Sequence, residues 1–252
     1  MTTTDDSRSS PAESTPVVTV SDLTYGYDGM CVLDDISLSV PCEAVTALVG
    51  PNGSGKSTLL GLVAGVRATQ AGKVTVTDLD APRTVGYLPQ SLRPRDGFSV
   101  HGTVETYAAL VDGGTDPDEV LSTVGLDVVA DERVETLSGG MRRLLGVAIA
   151  LVGDPPVLVL DEPTSGLDPA MTARVFDVLS DLAADGRGVL VASHDLDAVG
   201  TGADRVVLLD RGSVQARGPA ETILADLEVR SLSDAFETAV ADETGATVRH
   251  GV

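Results

Sequence analysis

Nine residues, GPNGSGKST at 50–58, join an apolar run that reads as a strand, AVTALVG at 44–50, to one that reads as a helix, STLLGLVAG at 57–65. The first eight match G-x-x-x-x-G-K-[ST] in full and sit where that pattern must sit, after a strand and before a helix. Gly50, Pro51, Asn52, Gly53, Ser54 and Gly55 form a loop that can wrap a phosphate with successive backbone N–H groups. Lys56 neutralises the β- and γ-phosphates, the Ser57 hydroxyl ligates Mg2+, and Thr58 follows directly as the next residue of the phosphate-binding segment. Lys56 is one of only two lysines in the chain, Lys73 being the other.

A strand-loop-helix unit of this type demands a largely parallel sheet, and the rest of the chain supplies one. PPVLVLDE at 155–162 is a continuous apolar run ending in two acids, as expected of a strand buried on both faces. GVLVAS at 188–193 and RVVLLD at 205–210 are further buried strands, and MTARVFDVLSDLAAD at 171–185 is an amphipathic helix. Shorter β-type runs, VVTV at 17–20, SLSV at 37–40 and KVTV at 73–76, belong to a separate sheet. From about Gln90 to Leu151, Gly, Asp and Pro separate helical patches such as TVETYAALV and PDEVLSTVGL. GSVQARGPAETIL at 212–224 reads as a turn and then a short helix. The expected class is α/β: a P-loop NTPase core with an antiparallel β subdomain and a helical insert.

Asp161 closes its apolar strand at the carboxyl end, where open α/β sheets bind ligands, and suits the Mg2+ shell. Glu162 adjoins it and is placed to polarise an attacking water. A second glycine-rich segment, LSGGMRRLLGVAIAL at 137–151, is less easily placed. Ser138, Gly139 and Gly140 open an apolar helix, so they offer a second cradle of N–H groups aided by the helix dipole.

Composition limits the partners. Net charge is −21 with a sequence pI near 4.2, and such a surface argues against nucleic acid, which needs a basic face. The acids are scattered, not massed in one block, which fits adaptation to a saline interior: hydrated carboxylates hold solubility and salt screens their repulsion. No apolar run approaches the length of a membrane span and no leader pattern opens the chain. MTTTDDSRSSPAESTP, residues 1–16, is polar and expected to be disordered. Cys31 and Cys42 form no metal pattern and are expected to be free thiols.

The order GPNGSGKST, LPQ, LSGG, VLVLDEPTSGLD and SHD resembles the nucleotide-binding subunit of ABC transporters over roughly residues 17–225, with an insert at about 91–151 and a tail at 226–252. The resemblance implies ATP and Mg2+ as ligands and a head-to-tail pair with a second ABC ATPase subunit, identical or different. Each ATP would then lie between one chain's P-loop and the other's Ser138–Gly140, which accounts for two cradles in one chain. It implies that Gln90 senses Mg2+ or water and that His194 bonds the γ-phosphate. It implies that Asp168, in SGLD at 165–168, faces the dimer partner, and that Tyr27 stacks on adenine, with Tyr25 as the alternative. Met141 departs from the family's usual glutamine and offers no hydrogen-bond donor. Arg142 and Arg143 are expected to meet surface acids, and His101 and His250 to have no special role. The family works at the cytoplasmic face of the membrane with integral permease subunits, received near 91–104. Residues 137–151 and the tail resemble ABC-2-type export ATPases. A metal or cofactor importer and a soluble single-cassette ATPase of the cluster-assembly type are the alternatives.

The charge balance sets a solution property. Stability should rise steadily with KCl into the molar range as the Debye length shrinks. A thermal unfolding series in KCl checks this, and a melting temperature flat or falling with salt would contradict the saline reading.

Overall fold

The computed structural model describes residues 15–77 and 81–244. The expected disordered stretch therefore lies outside the described residues up to residue 14, as does His250.

Two sheets of different character share the chain. Strands β1 (Pro16–Tyr27), β2 (Met30–Pro41) and β4 (Ala71–Val76) form an antiparallel sheet in the order β2-β1-β4. In the larger sheet β3 is Ala44–Val49, β5 Val85–Leu88, β6 Val157–Asp161, β7 Gly188–Ser193, β8 Arg205–Asp210 and β9 Ser213–Gly218. Its order is β5-β6-β7-β3-β8-β9, parallel except for β9, which runs antiparallel to β8. Burial follows topology. Every residue of β3, β6 and β7 is buried, whereas β1 and β2 mix buried and exposed positions. A parallel strand covered on both faces needs apolar residues throughout; an antiparallel strand with one wet face does not.

The larger sheet separates two apolar layers. On one face Leu48, Val157, Val159, Leu190 and Val207 pack with helix α1 (Lys56–Val63) against the inner side of the antiparallel sheet. On the other, Ala47, Leu158, Leu160, Val189 and Val206 pack against the remaining helices. These include α4 (Gly139–Leu151) and α5 (Pro169–Ala184), and the insert helices α2 (Val100–Ala108) and α3 (Pro117–Thr123) join the same layer. Helix α6 (Leu196–Gly202) precedes β8, and α7 (Ala220–Asp226) and α8 (Leu232–Thr244) follow β9. Leu232 and Ala235 of α8 are buried in this second layer.

The edge strand β9 differs from the sequence reading, which has only a turn before a helix there. Its residues SVQARG carry little apolar alternation, so pairing with β8 decides their state, not local propensity. The hairpin between β1 and β2 closes through Asp28 and Gly29, both at positive φ, the backbone that two-residue hairpins require. Cys31 and Cys42 are free thiols.

Candidate active site

The carboxyl ends of the parallel strands converge on one edge. Val49 pairs with Ser193 and Asp161 with Ala192, so the loop after β3, the acids of β6 and the residue after β7 come out side by side. Sequence-predicted Lys56, Ser57, Asp161, Glu162 and His194 meet there.

Gly50 leaves β3 where a Cβ would fall 2.0 Å from the Leu209 carbonyl oxygen, so a side chain there would push the loop from the sheet. Gly53 and Gly55 hold φ of 85° and 107°, which glycine adopts without strain. Gly55 caps α1, and Lys56, Ser57 and Thr58 form its first turn, so their backbone N–H groups lack intrahelical acceptors. Lys56 lies over the loop. Its Nζ donates to the carbonyls of Gly50 at 2.7 Å and Pro51 at 3.2 Å, and stands 3.8 Å from Glu162 Oε1. Burial pushes the Lys56 ammonium below its ordinary range, while Glu162 and Asp161 oppose that shift. Asn52 is exposed, and the buried Ser54 hydroxyl has no hydrogen-bond partner among the described residues.

Asp161 is buried, and burial raises its carboxyl pKa; a hydrogen bond from Ser57 and the charge of Lys56 work against the rise, and Glu162 adds to it. Its Oδ1 has no partner among the described residues. A buried carboxylate oxygen left open beside the Ser57 hydroxyl is a fitting donor set for a hard cation such as Mg2+. Glu162 turns out of β6 at φ 52°, a conformation that costs a non-glycine residue energy and occurs at functional sites. Its amide extends the ladder by donating to the Ala192 carbonyl at 3.1 Å. Its Oε2 lies 2.7 Å from His194 Nδ1, and the imidazole is more than half exposed. Glu162 thus joins Lys56 to His194 across the sheet edge.

Other expected residues lie apart. Ser138 caps α4 by accepting from the Met141 amide at 3.2 Å, and neither it nor Gly139 or Gly140 bonds the P-loop. Helix α4 lies on the face of the sheet opposite α1. Gln90 follows β5 with an exposed side chain, while its carbonyl accepts from Arg143 at 2.9 Å. Gln90 and Gly139 line one groove of about 670 Å3 together with Arg142, Arg143, Gly166 and Leu167. The expectation for the arginines needs correction: Arg142 donates to the Glu135 carbonyl at 2.8 Å, so both guanidinium groups reach backbone carbonyls in place of surface acids. The Asp168 carboxylate caps α5, accepting from Ala170 and Met171 at 3.0 Å each. Tyr27 is the exposed aromatic and Tyr25 the buried one; they meet edge to face at 5.1 Å. Arg67 lies over the Tyr27 ring at 5.4 Å, a partner with no local sequence signal. His101 faces Asp118 at 3.6 Å.

The model of the family described as ABC transporter matches residues 33–165, more than half of the chain. The chain belongs to the ABC transporter family. Within it the chain is an ATP-binding cassette. It is 35% identical over 253 residues to the zinc import ATP-binding protein ZnuC of Alkalilimnicola ehrlichii, covering 96% of this chain and 95% of that one. It is 32% identical over 223 residues to the Nod factor export ATP-binding protein I of Mesorhizobium japonicum, covering 84% of this chain. The match spans 66% of that protein's length, just under two thirds. A solved ATP-binding subunit of an ABC transporter superposes with a TM-score of 0.77 at 25% identity, over 89% of this chain and 99% of that one. Names of importers and exporters thus occur at similar identity. No helix among the described residues is long and apolar enough to cross a membrane.

The buried acid carries a stability cost. With its pKa raised by the fold, Asp161 favours the folded state below the ordinary carboxylate range and loses that contribution as pH rises through the raised value. Above that raised value the ionised group is a net burden, so Asp161→Asn should raise the melting temperature of the nucleotide-free protein at alkaline pH. Each kcal/mol relieved is worth about 2–4 °C. The gain should narrow as pH falls through the raised value. A variant melting below the parent at alkaline pH would contradict this electrostatic picture.

Proposed function

We propose that this cassette binds and hydrolyses Mg·ATP as the motor subunit of a transporter, at the cytoplasmic face of the membrane. The observation that carries the reading is the Lys56–Glu162–His194 chain at the carboxyl edge of the sheet, beside the open oxygen of Asp161. In this reading the N–H groups from Gly53 to Thr58 receive the phosphates, and Lys56 exchanges its loop carbonyls for phosphate oxygens. Ser57 and Asp161 would hold Mg2+, with Gln90 contributing to the same shell; the cation supplies charge neutralisation on the phosphates. Glu162 accepts a proton from the attacking water, and His194 holds that carboxylate in line. Tyr27 stacks on the adenine base, displacing Arg67 from its ring.

The two cradles fit a pair of chains. Helix α4 lies across the sheet from α1, so Ser138, Gly139 and Gly140 are turned away from their own P-loop and would serve the ATP of a facing copy or of a related cassette. Asp168 would then act at that interface through the loop it caps. The groove between Gln90 and α4 is offered to a cytoplasmic segment of a permease. Relatives named for import and for export occur at similar identity, so the proposal concerns the motor and leaves direction aside.

Glu162→Gln is the direct test. The variant should bind Mg·ATP, hydrolyse it about 100-fold more slowly or worse, and accumulate as a dimer by light scattering. Turnover at the parent rate would remove Glu162 from water activation.

A further inference from the structure

Away from the phosphate loop, the two sheets splay apart at the amino-terminal end of β3 and β8 and leave a cavity of about 400 Å3. Its wall is unusual for this chain. The sequence holds 38 acids, yet no lining residue is acidic. The polar lining consists of Thr19, Ser37, Ser39, Thr46, Arg205 and Arg217.

Sheet register groups three of these on one face. Thr46 of β3 pairs with Arg205 of β8 in the parallel ladder. Arg217 of β9 pairs with Val207, two residues beyond Arg205. Paired residues and residues two apart project to the same side of a sheet, and the diagonal neighbours lie within reach of long side chains. That side is the one carrying Leu48 and Val207, which faces the antiparallel sheet. Arg217 is fixed by donating to the Ser37 carbonyl, which leaves its other N–H groups available. The Arg205 guanidinium forms no ion pair or hydrogen bond among the described residues, its backbone alone being engaged in the ladder with β3. Thr46 adds an unsatisfied group to this wall. It is 1% exposed, and its Oγ1 has no partner among the described residues. An unsatisfied buried hydroxyl in the same lining as two guanidinium groups calls for a partner, and an oxyanion offers acceptor oxygens to all three.

We propose that this cavity is a binding site for a tetrahedral oxyanion, inorganic phosphate or the phosphoryl group of a small ester, held by Thr46, Arg205 and Arg217 and separate from the nucleotide site. The planar guanidinium forks match phosphate oxygens, and the volume leaves room for more than a bare ion. The position places it under the amino-terminal end of β3, whose carboxyl end starts the phosphate loop, so occupancy would brace the two sheets that enclose α1.

The test is equilibrium dialysis of the full chain with radiolabelled inorganic phosphate in molar KCl. The background is Lys56→Ala, so that the P-loop does not contribute. Saturable phosphate binding should survive Lys56→Ala and vanish when Arg205→Gln and Arg217→Gln are added. Thr46→Val, which keeps the buried shape, should weaken binding on the order of tenfold through the lost hydroxyl. Far-UV circular dichroism identifies any variant that fails to fold, and Thr46→Val then decides alone. Displacement by glycerol phosphate at lower concentration than unlabelled phosphate assigns the site to an ester; equal or weaker displacement assigns it to the free ion. A folded Lys56→Ala chain without saturable binding overturns the proposal, as does undiminished binding in the folded arginine variant or in Thr46→Val.

Discussion

The structure depends on a charge problem solved at one sheet edge. Lys56, Asp161 and Glu162 are all buried, and each would be costly there without the others. Lys56 is held by two loop carbonyls and by Glu162, Glu162 by His194, and Asp161 by Ser57. Balance is incomplete by one atom, the open Oδ1 of Asp161. A site that leaves a buried carboxylate oxygen unmatched spends stability on readiness for a cation. The strained backbone at Glu162 belongs to the same economy, since it swings that carboxylate from the strand toward Lys56.

The fold keeps this edge rigid by covering both faces of the parallel strands. With β3, β6 and β7 buried throughout and paired with one another, the three strand ends that present the P-loop, the acids and His194 are held side by side. The same sandwich separates the two glycine cradles, because α1 lies in one apolar layer and α4 in the other. Closeness in the pattern of sequence is therefore not closeness in space. The proposed use of both segments on one nucleotide therefore requires a second chain, since one fold keeps them on opposite faces of its sheet.

Legibility in the sequence tracked how local each cause was. GPNGSGKST and the acids after VLVL could be read because loop geometry and strand burial act within a dozen residues. The strands GVLVAS and RVVLLD appear with the bounds read for them, since continuous apolar runs have few other uses. Strand β9 was not legible, because its pairing with β8 and not its composition makes it a strand. The backbone partners of Arg142 and Arg143 were also hidden; a guanidinium on an acidic surface gives no sign in sequence that it will reach a loop carbonyl. The same holds for Arg67 over Tyr27 and for the cavity at Thr46, which join residues far apart in the chain.

The central claim is that a complete phosphate site needs the P-loop of one chain and Ser138–Gly140 of another. The most direct measurement pairs a Lys56→Ala chain with a Ser138→Arg chain, using two affinity tags to isolate the mixed dimer, and counts occluded ATP. Head-to-tail pairing gathers both lesions into one site and leaves the other intact, so the mixed dimer should occlude about one ATP per pair while both homodimers occlude none. A mixed dimer that occludes no more ATP than the homodimers would contradict the shared site.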